Sequence, residues 1–127
     1  MCRMCDDPTL TIADLRAEMF RAIAKHGWMI QFVEEEPGLP AFAYTIGLTG
    51  QGLPEFFVEG LSAHASGELL NALAEYATTH ELGPCDTVTL GDGHDYLLGQ
   101  MVDVSDLYGA LEVYGPGIDA LAVSIIQ

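Results

Sequence analysis

Apolar residues recur first at a helical and then at a strand period, and the order of those periods restricts the fold more than any other feature of the chain. Ile12, Leu15, Met19, Ala22, Ile23 and His26 recur at helical spacing, which predicts an amphipathic helix from Thr11 to His26. Thr11 stands where an N-cap belongs, with Asp14 three residues on as a short version of the capping-box acid. Gly27 supplies the C-cap, and Lys25 and His26 suit the negative end of the helix dipole.

The pattern then shortens. Trp28 to Val33 is a β-rich run, followed by the charged turn Glu34-Glu35-Glu36-Pro37-Gly38. Ala41 to Leu48 reads as a second strand with Phe42, Tyr44 and Ile46 on one face, and Glu55 to Glu59 as a third. Ser62 caps a second predicted helix reaching about His80, its stripe formed by Ala65, Leu69, Ala72, Leu73 and Tyr76. Thr87 to Leu90 and Tyr96 to Val104 are predicted strands joined around the hairpin dipeptide Asp92-Gly93. Ser105 to Leu107 starts a short turn or helix, Gly115-Pro116-Gly117 breaks the chain, and Ala120 to Ile126 is a last apolar strand.

Strands in runs with short connections favour antiparallel pairing, and βαβ alternation is missing. The expected architecture is α+β: a largely antiparallel sheet of about five or six strands with two main helices packed on one face. At 127 residues, one domain over 1–127 is expected, with 1–10 as an irregular arm carrying Cys2 and Cys5. Half the residues are hydrophobic, a surplus that suits either a generous core or the face of a homodimer.

Charge narrows the functions. All four basic residues (Arg3, Arg16, Arg21 and Lys25) lie in the first 25 positions, and from His26 onward there are fifteen acids and no Lys or Arg. The formal charge is −15. Such a chain cannot assemble the cations that neutralise nucleic-acid phosphates, so no nucleic-acid partner is expected. The same lack disfavours clamped phosphate or carboxylate substrates. A cationic ligand, a metal or a basic protein partner is electrostatically welcome, and the acids equally serve solubility or high salt. No apolar run of membrane-spanning length and no signal-peptide core is present, so a cytoplasmic protein without a membrane partner is expected.

Candidate chemistry is sparse. Cys2 and Cys5 have the spacing with which two thiolates share a zinc ion, and Cys85 is the obvious third ligand, with a histidine (His26, His64, His80 or His94) as fourth. No second pair at ligand spacing accompanies them, so this is half a zinc motif. Cys85 beside His80 or His94 could form a hydrolase or transferase dyad, although no base or oxyanion donor is located by the sequence. Glu34-Glu35-Glu36 reads as a solvated turn, and Asp92-Gly93-His94-Asp95 as hairpin chemistry. The glycine-rich stretch from Gly47 to Gly52 has no following Lys and reads as a strand connection, not a P-loop.

Several short motifs carry a likeness. Cys2-Arg3-Met4-Cys5-Asp6, His26-Gly27-Trp28, Phe42-Ala43-Tyr44-Thr45-Ile46-Gly47-Leu48, Pro54-Glu55, Gly60-Leu61 and Tyr114-Gly115-Pro116 together resemble a bacterial family known as domain of unknown function 4262. The resemblance spans nearly the whole chain and implies a bacterial single-domain protein, and it brings no activity, cofactor or catalytic residue with it. From the residues themselves, the leading expectation is a non-enzymatic binding or regulatory domain acting near Trp28, Phe42 and Tyr44. A zinc protein using Cys2, Cys5 and Cys85, and a Cys–His enzyme, are the alternatives.

Overall fold

The computed structural model describes residues 11–126. Among these, a six-stranded sheet and three α-helices follow in the order α1 (Ile12–His26), β1 (Met29–Val33), β2 (Phe42–Ile46), β3 (Glu55–Glu59), α2 (Ala63–Ala77), β4 (Thr87–Thr89), β5 (Asp95–Gln100), α3 (Tyr108–Tyr114) and β6 (Ala120–Ile125). A 3-10 turn over Leu48–Gln51 precedes β3. No helix among the described residues is long and apolar enough to cross a membrane.

The caps behave as their chemistry dictates. The Thr11 hydroxyl accepts from Asp14 N–H at 3.1 Å while the Asp14 carboxylate accepts from Thr11 N–H at 3.0 Å, a reciprocal capping box. Gly27 ends α1 at φ +92°, where its N–H reaches the Ile23 carbonyl at 2.8 Å. Ser62 caps α2 by accepting from Ala65 N–H. That helix ends at Ala77, earlier than the predicted His80, because Thr78 and Thr79 turn their hydroxyls back onto the Glu75 and Tyr76 carbonyls.

Strand order across the sheet is β1-β2-β3-β6-β5-β4. Every neighbouring pair is antiparallel except β3–β6, which is parallel with Glu55 opposite Ala120. The mainly antiparallel α+β architecture is therefore present. Parallel pairing arises because the chain crosses from β3 to β6 through α2 and the β4–β5 hairpin. The segment expected to be strand through Val104 leaves the sheet at Gln100, whose side chain bonds Asp119 at 2.8 Å, and α3 begins just beyond the buried Leu107.

Both faces of the sheet are covered, which corrects the expectation of two main helices on one face. Ala43, Phe56, Val58, Leu98 and Leu121 pack with Leu69, Leu70 and Leu73 of α2. On the opposite face, Tyr44, Ile46 and Phe57 pack with Met19 and Ile23 of α1 and with Ala110 of α3. The physical reason lies in β2 and β3. Ala43 and Val58 as well as Tyr44, Ile46 and Phe57 are buried, so these central strands are apolar on both sides and each side needs its own helix.

Candidate functional site

Of the residues singled out by sequence, Trp28, Phe42 and Tyr44 are divided between the two faces of the sheet. Phe42 and Tyr44 stack on the α1 face with ring centroids 6.3 Å apart, and Phe42 lies 5.4 Å from Phe57. Trp28 packs on the other face, where its indole N–H donates to Asn71 of α2 at 3.0 Å. Tyr44 is buried and its hydroxyl accepts from Gly109 N–H at 2.9 Å, tying α3 to the sheet. Burial raises its pKa against the opposing pull of that hydrogen bond. These three aromatics are core and fastening residues on two faces, not the lining of one pocket.

Cys2 and Cys5 lie outside the described residues. Cys85 is a free, exposed thiol at φ +71° whose N–H bonds Leu98. Among the described residues no group of three or more His, Cys, Asp or Glu is placed to hold a metal. The His80 ring stacks on Tyr76 at 4.0 Å, and its Nδ1 lies 2.9 Å from the Thr79 hydroxyl. At the β4–β5 tip, Asp92 accepts from His94 N–H at 2.9 Å and from the Tyr96 hydroxyl at 2.6 Å. The Tyr96 bond first, and then the His94 amide, hold the Asp92 carboxyl below its usual range. Burial and the same carboxylate push Tyr96 up to about 12. This tip is an internally satisfied turn.

A polar centre that sequence reasoning passed over is Glu55. Its side chain is fully buried at the start of β3. One carboxylate oxygen accepts from the Thr45 hydroxyl at 2.8 Å and from Leu48 N–H at 3.3 Å. The other accepts from Gly47 N–H, from Thr49 N–H at 2.9 Å and from the Thr49 hydroxyl at 2.6 Å. A buried carboxylate persists only with such a set of donors, and here the 3-10 turn supplies most of them. Burial, and next the Glu55 charge, raise the pKa of Tyr114, whose hydroxyl lies beside the Gly50 backbone. The Gln51 side chain meanwhile donates to the Gly27 carbonyl at 2.8 Å. Thr45, Gly47, Leu48 and Thr49 thus meet around one carboxylate, and the 3-10 turn is in addition tied to Gly27 and Tyr114. An acid opening an otherwise apolar strand, Glu55-Phe56-Phe57-Val58, was the available signal. Every lone-pair direction being used, the centre holds the fold and offers nothing to a ligand.

Open surface exists elsewhere, at the end of the sheet where β1 and β3 finish and β2 begins. A groove of about 590 Å³ lies there, with Phe32, Ala41 and Leu61 as its apolar lining and Glu34 and Glu35 on its rim. Gly60 and Ser62, at the entry to α2, complete it. A smaller hollow of about 240 Å³ shares Leu61 and continues between the ends of the parallel strands, lined by Val58, Glu59, Val123 and Ile125 among others. Its cause is topological. Beyond Phe57↔Ala122 the β3–β6 pairing stops, as β3 stays with β2 and β6 with β5.

No curated protein and no solved structure matches the chain. Residues 22–123, which include every element from the end of α1 into β6, match the family model described as Domain of unknown function (DUF4262), and the chain belongs to that family.

Proposed function

We propose that this protein is a non-enzymatic binding domain that takes a positively charged ligand or partner in the groove at the ends of β1 and β3. The observation that carries the reading is the pairing of an apolar lining, Phe32 and Leu61, with two rim carboxylates, Glu34 and Glu35. No Lys or Arg occurs anywhere beyond Lys25 to cancel them. Apolar contact supplies affinity and the carboxylates supply orientation and choice of charge. The amino end of α2 opposes this with about half a positive charge. Two full charges on the rim outweigh it, and the Ser62 hydroxyl is already engaged with Ala65.

The buried Glu55 does not compete for the role, since five donors surround it. Chemical-shift mapping with spermidine and with a lysine-containing peptide tests the proposal. Perturbed amides at Phe32, Ala41 and Leu61, lost in a Glu34→Gln/Glu35→Gln variant, are the expected result. Turnover of ester, thiol or phosphate substrates that is abolished by Cys85→Ala would replace this reading with a catalytic one.

A further inference from the structure

Three features of the surface compete for attention: the Asp92–Tyr96 tip, the exposed Cys85 and the pair of hollows that meet at Leu61. The tip satisfies its own hydrogen bonds, and among the described residues Cys85 belongs to no cluster of His, Cys, Asp or Glu that could hold a metal. The hollows carry an argument, which rests on the binding reading above and specifies its occupant. Leu61 belongs to both of them, so they form one track across the ends of β1, β2, β3 and β6. Neighbouring strands lie about 4.8 Å apart, so the track runs roughly 14 Å, the reach of about four extended residues.

The lining mixes the carboxylates of Glu34, Glu35 and Glu59 with the apolar Phe32, Leu61, Val123 and Ile125. Ile125 is 51 % exposed at the far end. A small polyamine would use the carboxylates and leave both apolar stretches wet. A second copy of this chain would bring another −15 charge against the same rim.

We infer that the track receives an extended segment of a basic protein partner that carries both Lys or Arg and aliphatic residues. Its cations meet Glu34, Glu35 and Glu59, and its apolar side chains cover Leu61 and Ile125. A track crossing the ends of several strands suits a chain lying across the surface, with anchors at intervals.

Fluorescence anisotropy with a labelled Lys-Leu-Lys-Leu-Lys peptide, at an ionic strength of about 150 mM to screen diffuse attraction, is the test. Saturable binding is expected, weakened about tenfold or more by Glu34→Gln/Glu35→Gln and likewise by Glu59→Gln/Ile125→Ser. A charge-matched Glu75→Gln/Glu81→Gln variant, at the exposed end of α2 and in the chain just after it, should bind within about twofold of the parent. Circular dichroism confirms that each variant is folded.

Equal weakening by the α2 variant would overturn the inference, since the attraction would then be diffuse. Equal binding of a peptide with the leucines replaced by serine would also overturn it, since the apolar lining would then contribute nothing. A dimer in sedimentation that the track variants dissolve would assign the surface to a second copy and also sink it. If spermidine perturbs the Phe32 and Leu61 amides while the peptide fails to bind, the occupant is wrong and the cation-binding groove stands. If neither binds, both readings fall.

Discussion

The Thr45 hydroxyl donates to Glu55 at 2.8 Å and accepts from Phe56 N–H at 2.9 Å. One side chain thus closes the β2–β3 ladder, whose last backbone pairing is Tyr44↔Phe57, and feeds the buried carboxylate. Glu55→Gln points an amide at donors and should cost about 2–4 kcal/mol. Thr45→Val strands the Phe56 amide and should cost about 1–3 kcal/mol. Urea unfolding measures both, and a Glu55→Gln loss below about 1 kcal/mol would mean that water replaces the carboxylate readily.

Backbone contact makes Gly47 less replaceable than its loop position suggests. It sits at φ +128°, and an added Cβ would lie 2.7 Å from the Gly27 carbonyl oxygen and 2.8 Å from Trp28 Cα. Neither atom can swing away, so Gly47→Ala should cost about 3 kcal/mol or more. Gly52→Ala, whose Cβ meets nothing within 4 Å despite φ +76°, should cost only about 1–2 kcal/mol. Similar losses at the two sites would contradict the packing described.

Trp28 is the single tryptophan, so its fluorescence reports its own bond to Asn71. Asn71→Ala should shift the emission to the red and lower stability by roughly 0.5–1.5 kcal/mol. An unchanged spectrum would place the indole N–H on water in solution.

Acid and alkali should act on the hairpin tip in opposite senses. The Asp92 pKa is lowered by Tyr96 and His94, so its contribution is complete above the ordinary Asp value near 3.9 and is lost as pH falls through the lowered value. Tyr96 is pushed up to about 12, so its contribution is complete below about pH 10 and is lost as pH rises toward that value. In Tyr96→Phe, the acid dependence assigned to Asp92 should shrink to the part that His94 supplies, and the tyrosine ionising near 12 in an ultraviolet titration should disappear. A titration with all five tyrosines ionising together near pH 10 would refute the bond.

Salt should stabilise the protein. The formal charge is −15, and the ion pair between Arg16 of α1 and Glu112 of α3 is too exposed to offset that repulsion. Raising sodium chloride from about 20 to about 300 mM should lift Tm by roughly 3–6 °C. A falling Tm would mean that individual pairs outweigh repulsion.

Local chemistry was legible wherever neighbours in sequence are neighbours in space. Thr11 with Asp14, Gly27 after His26, Ser62 before α2 and Asp92-Gly93 in the hairpin each act through contacts a few residues long, and the structure contains all four. The face shared by Phe42, Tyr44 and Ile46 was also readable, because strand side chains alternate regardless of what covers them. Glu55 was not. Its donors lie six to ten residues earlier, and a loop without the turn gives no sign that it will wrap a carboxylate.

By itself the sequence determined most of the elements, the caps at Thr11, Gly27 and Ser62 and the predominance of antiparallel pairing, since propensity and periodicity are local. Tertiary structure alone decided that β6 inserts beside β3, that α1 and α2 take opposite faces, and that two hollows join at Leu61. Those depend on which apolar faces find each other in space, and any one pattern of alternation is compatible with several such pairings.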